Sequence, residues 1–153
     1  MALSLTSTAF TPGSKIPRIY TCDGKNIAPP LTWHGSPDET RVFTLIVDDP
    51  DAPGKVFTHW VIFNIPASVH ELPEAIPRKE QLSSGATQGM TDFGRIGYGG
   101  PCPPRGPAHR YHFSLYALDK SLELNAGESK EQVLEAMNGH ILAKAQLIGL
   151  YQR

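Results

Sequence analysis

"VFTLIVDDPDAPGKVFTHWVIFNIP", residues 42–66, sets two greasy, β-branched runs on either side of a stiff, acidic turn. Strand alternation puts Phe43, Leu45, Val47 and Asp49 on one face of the first run, and Thr44, Ile46 and Asp48 on the other. Asp49 therefore leaves its strand from an apolar face. Pro50 and Pro53 fix two backbone angles in the turn, which aims a side chain instead of leaving it to wander in solvent. A plain structural role competes with this one, in which Asp49 and Asp51 merely cap backbone amides. His59 opens the second run and, on strict alternation, shares a face with Val61, Phe63 and Ile65.

Outward from this hairpin, fourteen prolines and fourteen glycines punctuate short β-branched and aromatic runs over 153 residues. That pattern predicts a mainly β sandwich in a single domain spanning 1–153, without internal repeats. Strands are expected at 3–6, 30–33, 42–47, 60–65, 110–118 and 145–151. One helix is signalled. Ser129 caps it, Gln132 completes a capping box, and Val133, Leu134, Met137, Ile141 and Leu142 recur on one face, with Gly139 weakening it slightly and His140 solvated. The closing run AQLIGLY, 145–151, is expected to dock inside a sheet.

A formal charge of −1 gives no electrostatic reason for a nucleic-acid or anionic-membrane partner. The opening MALSLTSTAFTPGSKIP lacks the features of a secretory signal, and no stretch approaches the ~20 apolar residues that span a bilayer, so a cytoplasmic chain without integral membrane association is expected. Two cysteines, Cys22 and Cys102, make neither a disulfide framework nor paired zinc spacing, and two free thiols are the default.

The segment 82–108 holds seven of the fourteen glycines and four of the prolines, which predicts a long loop of the kind that binds something. It runs into HRYHFSLYAL, 109–118, where alternation puts His109, Tyr111, Phe113 and Leu115 on one face and Arg110, His112 and Ser114 on the other. His109 and His112 thus cannot share a metal, and no metal site is expected, whereas His109 and Tyr111 can line one pocket. A stiffened carboxylate, two strand-end histidines, a phenol and a glycine-rich loop are the parts of a small anion or phosphoryl pocket. No GxSxG elbow, HExxH or phosphate-binding P-loop is present, so no catalytic residue is assigned and no cofactor is expected.

The DPDAP run, the following HWVIFNIP, the stretch GYGGPCPPRGPAHRYHFSLYAL at 97–118 and YTCDGKNIAPPLTW at 20–33 closely resemble the phosphatidylethanolamine-binding protein family, in its bacterial and archaeal Raf-kinase-inhibitor-like branch. The resemblance covers nearly the whole chain. It implies an antiparallel Greek-key β-sandwich of two sheets with one or two peripheral helices, and a pocket at one end for phosphate or a phosphorylated small molecule or head group. Carried over, it assigns ligand contacts to Asp49, His59, His109 and Tyr111 and to loop backbone at Gly100 and Cys102, with Asp51, Pro53 and Pro104 as walls. The family layout also brings the YTCDG segment, 20–24, near the loop, which sets a Cys22–Cys102 disulfide beside the free-thiol expectation. Two features depart from animal members, the cysteine in GPCPP and an ending on a strand without the extra helix that helps gate their pocket.

A carboxylate in an anion site is reconciled by its histidines, since an imidazolium beside it makes the charge mixed. The expectation is a regulatory binding module acting through a protein partner, a kinase or a protease, with homodimerisation implied by the same branch. Alternatives are a protease inhibitor, or a weak hydrolase using Asp49 and His59 as acid and base.

Overall fold

The alternating runs pair as two antiparallel sheets in the computed structural model, which describes residues 2–153. In chain order the elements are β1 (Ser4–Thr6), β2 (Leu31–His34), β3 (Val42–Asp49), β4 (Phe57–Pro66), β5 (Glu71–Leu72), β6 (Thr87–Gln88), β7 (His109–Leu118), α1 (Lys130–Met137) and β8 (Ile141–Tyr151). The small sheet runs β1-β2-β5 and the large sheet β6-β4-β3-β7-β8. After β4 the chain visits the small sheet, and β7 then returns to lie beside β3, which is Greek-key order.

The central strands of the large sheet, β3 and β4, are buried on both faces. Trp33 of the small sheet packs into an inner layer with Phe43, Leu45, Val47, Trp60, Ile62, Phe113 and Leu115. Val133 and Met137 of α1 cover an outer layer of Val42, Ile46, Val61, Phe63 and Leu118. Each fully buried side chain of this size contributes about 1.5–3 kcal/mol, so β3, with apolar residues on both faces, is the most strongly committed strand.

Two bulges in β4 overturn the shared face expected for His59, Val61, Phe63 and Ile65. Val47 pairs with Trp60 but Asp48 pairs with Thr58, which leaves His59 as an extra residue. A second shift falls between Phe43 and Leu45, where Asn64 takes the left-handed backbone at φ 55°. Each extra residue reverses the phase of the pleat. Phe57 and His59 thereby face inward with Trp60, Ile62 and Ile65, while Val61 and Phe63 face the helix. The Asn64 side chain uses its position to exchange two 2.8 Å hydrogen bonds with the Leu122 backbone.

The helix is shorter than its apolar repeat suggested. Its capping box forms as expected between Ser129 and Gln132, but it ends at Met137. Gly139, at φ 85°, turns the chain out of the helix, so Ile141 and Leu142 open β8 and do not extend the helical face. His140 pairs at the surface with Asp119 at 2.9 Å. The strands β5 and β6 have two residues each, too few to show alternation, and were not anticipated. The edge of β8 is closed near its end by the 13–16 segment, through Gly13 and Ile16 amides donated to Ile148 and Leu150.

Candidate functional site

At one end of the sandwich, β3, β4 and β7 deliver Asp49, His59, His109 and Tyr111 to one cavity of about 120 Å³. Ala52, Pro53, Phe57, Phe93, Pro103 and Pro104 complete most of its wall, with Cys102 at the rim. Asp49 is 3% exposed and both its oxygens are engaged. Its Oδ2 accepts from His109 Nδ1 at 2.7 Å, and its Oδ1 accepts the Asp51 amide at 2.8 Å. Pro50 has no N–H to offer, so the Asp51 amide is the first available to close this turn.

His59 is held differently. Its Nδ1 donates to the Gly99 carbonyl at 2.7 Å, and the Gly99 amide donates to the His59 carbonyl at 2.9 Å. A carbonyl only accepts, so Nδ1 carries the proton and Nε2 of a neutral ring keeps its lone pair. Burial pushes this imidazole below its ordinary value of 6.5, against a partial pull upward from the Gly99 carbonyl, the Asp49 charge, the Gly100 carbonyl and Asp48. Tyr111 stands edge-on to it, ring centroids 5.2 Å apart. The Tyr111 hydroxyl is buried without a well-formed hydrogen bond among the described residues, though it lies near the Asp49 carboxylate, and burial, then the Asp49 charge and a weak hydrogen-bonding contribution from Asp49, drive its phenol far up.

The loop behind His59 is stitched to the 20–26 segment. Tyr98 donates its hydroxyl to the Tyr20 carbonyl at 2.7 Å, the Cys22 amide donates to Pro101, and the Gly100 amide donates to Asn26 Oδ1 at 2.7 Å. A Cys22–Cys102 disulfide, S–S 2.07 Å, adds a covalent stitch. Two free thiols are therefore not what the fold contains, because the 98–102 loop brings together cysteines 80 residues apart. Glycines are required here by contact. A Cβ at Gly99 would stand 2.3 Å from the Phe93 ring, and one at Gly100 would stand 2.2 Å from the Tyr20 carbonyl oxygen.

Four of the anticipated ligand residues, Asp49, His59, His109 and Tyr111, thus meet at the cavity, and Cys102, Pro53 and Pro104 line it. Gly100 stands behind the wall with its amide already spent on Asn26. Asp51 stands apart from the cavity, its carboxylate gripped by Arg110 through Nε at 2.9 Å, Nη2 at 2.8 Å and the backbone amide. Those hydrogen bonds hold its acid far below the usual carboxylate range. The partner of Asp49 is His109, not His59. His112 lies on the opposite sheet face, beside Gln146. Sequence reasoning missed Phe57, Phe93, Ala52 and Pro103. Phe57 had a signal, its parity with His59 across one pleat, whereas Phe93 lies in a loop with no pattern to place it.

A two-sheet β-sandwich that gathers an acid, two imidazoles and a phenol at one end defines a small-ligand-binding class of fold. The chain belongs to the phosphatidylethanolamine-binding protein family, whose profile matches residues 6–152. It is similar to the UPF0098 protein of Methanothermobacter thermautotrophicus, 56% identical over 99% of both chains, and to that of Aquifex aeolicus, 52% identical over 96% of this chain and 86% of the relative. Among solved structures it resembles YbcL of E. coli, described as a member of the mammalian PEBP family, with a TM-score of 0.93 and 35% identity over 100% of this chain and 99% of the other. A phosphatidylethanolamine-binding protein homolog of Chlamydia trachomatis gives a TM-score of 0.91 and 43% identity over 99% of this chain and 98% of that one.

Proposed function

We propose that the chain is a binding module for a phosphoryl group, free or carried on a small molecule or head group, and that occupancy regulates its contact with a protein partner. The observation that carries this reading is the convergence of Asp49, His59, His109 and Tyr111, from three strands, on one cavity of about 120 Å³. The space is well below the roughly 300–1,000 Å³ of drug-sized sites and suits one tetrahedral oxyanion. The unpartnered Tyr111 hydroxyl supplies a donor, and His109 adds a second at Nε2 when its ring carries two protons. A doubly protonated His109 also leaves its pair with Asp49 neutral, which removes the objection to an anion beside a carboxylate.

Kinase or protease binding and homodimer formation belong to the same reading, as routes by which occupancy is communicated. No helix among the described residues is long and apolar enough to cross a membrane. We place the module in the cytoplasm. The experiment is a phosphate titration followed by NMR between pH 5 and 8. Affinity is expected to rise as pH falls, and Tyr111→Phe to weaken binding about tenfold through loss of one hydrogen bond to a charged group. Affinity flat with pH and indifferent to Tyr111→Phe would remove the support for an anion pocket. The weak-hydrolase alternative would gain from turnover of a phosphomonoester that His59→Ala abolishes.

A further inference from the structure

One peptide bond decides what His59 offers to the cavity. The Gly99 carbonyl and the Gly100 amide belong to the same planar unit. The carbonyl accepts from His59 Nδ1 at 2.7 Å, while the amide donates to Asn26 Oδ1 at 2.7 Å. A unit with glycine on both sides rotates at little steric cost. Turned over, it would present an N–H to His59 and force the imidazole proton onto Nε2.

Asn26 blocks that turn, and it is itself fixed in place. Its amide donates to the Ile19 carbonyl at 2.9 Å, and its carbonyl receives Arg78 Nη2. Its backbone is left-handed at φ 58°, a conformation that asparagine tolerates better than most residues. With the peptide locked, a neutral His59 keeps its proton on Nδ1 and its lone pair on Nε2, the nitrogen left to accept from a ligand in the cavity. The remaining polar groups sharpen the consequence. Asp49 only accepts, His109 spends its Nδ1 on Asp49, and the buried Tyr111 hydroxyl has no well-formed hydrogen bond and is available as a donor.

We propose that Asn26, acting through the Gly99–Gly100 peptide, keeps His59 a hydrogen-bond acceptor, and that the cavity thereby selects an oxyanion carrying its own proton, a phosphoryl monoanion, over an unprotonated one such as sulfate. This rests on the anion-pocket reading and specifies its ligand. The P–OH of the ligand donates to His59 Nε2, and an unprotonated oxygen accepts from the Tyr111 hydroxyl. Sulfate has no proton to give, so it sets its own lone pair against that of His59 beside the Asp49 carboxylate. The charged and titratable groups around the His59 ring are Asp48 and Asp49 from β3 and His109 and Tyr111 from β7, with Arg95 above the neighbouring Phe93 ring at 5.5 Å. Burial outweighs the two carboxylates, which preserves the acceptor through neutral pH.

The test titrates the whole protein with inorganic phosphate and with sulfate by calorimetry at pH 7, and reads the His59 tautomer from imidazole ¹⁵N shifts. The wild type should bind phosphate at least about tenfold tighter than sulfate and show the Nδ1–H tautomer. Asn26→Gly keeps the left-handed backbone but removes the acceptor. It should mix the tautomers and bring the phosphate-to-sulfate ratio close to one, while Asn26→Asp, which retains an acceptor, should restore both. Equal affinity for the two anions in the wild type overturns this proposal and leaves the pocket reading standing. The same holds for a tautomer and ratio unmoved by Asn26→Gly. If neither anion binds the wild type, the pocket reading itself fails and takes the selectivity with it. The wild-type ratio and tautomer decide the matter even where Asn26→Gly does not fold.

Discussion

His109 and His59 face one cavity, yet their clasps are of different kinds. His109 is gripped inside the sheet, by a carboxylate on the neighbouring strand whose position follows from the β3–β7 register. His59 is gripped by a backbone carbonyl on a loop, and the loop keeps its shape through stitches to the 20–26 segment. The sheet-built wall stands as long as the fold stands. The loop-built wall depends on a few contacts that can be removed one at a time.

The largest effect is expected on the sheet side. Asp49→Ala strips both the buried His109 ring and the Asp51 amide of their acceptor, and at about 1.5–3 kcal/mol for each hydrogen bond to a charged group the two together cost about 3–5 kcal/mol. Urea unfolding should show that loss together with the disappearance of phosphate binding. A loss under about 1 kcal/mol would mean that the Asp49–His109 contact holds little of the fold together.

Cys22→Ser tests the other wall. Releasing a cross-link between residues 80 apart should cost about 2–4 kcal/mol. Its local signature separates the two clasps, since the His59 ring signals should shift and broaden while those of His109 stay in place. Equal disturbance of both rings would show that the loop and the sheet form one mechanical unit.

A smaller effect distinguishes the walls by pH. An unfolded histidine takes up its proton near 6.5, whereas the buried His59 ring in the folded chain takes it up at lower pH. Below about pH 6.5 the unfolded state therefore binds more protons and stability declines as pH falls. Melting curves between pH 7.5 and 5 should show this decline, and His59→Gln should flatten it. An unchanged slope in that variant would assign the decline to other groups.

The same division governed what the amino-acid sequence revealed. Register between β7 and β8 is unbroken from His109 to Ala117, so simple alternation placed His109, Tyr111, Phe113 and Leu115 on the inner face correctly. In β4 the bulge at His59 reverses the pleat, and no residue in THWVIF announces it. Asn26 reads as an ordinary turn residue in CDGKN, and its contact with Gly100 spans 74 positions that no local pattern bridges. The disulfide is of the same kind. Composition and compartment argued for free thiols, the family resemblance set a Cys22–Cys102 disulfide beside them, and the folded loop joins the two cysteines. Gly139 was visible as a weak point in the helix, but its left-handed backbone makes it the stop.

The central claim is that the two clasps present one acid, two imidazoles and one phenol to a single anion. The most direct measurement is a crystal structure of the protein grown with inorganic phosphate. The account predicts one phosphate in the cavity, with oxygens about 3 Å from His59 Nε2, His109 Nε2 and the Tyr111 hydroxyl. A phosphate seated elsewhere, with those three groups hydrogen-bonded separately to solvent, would contradict it.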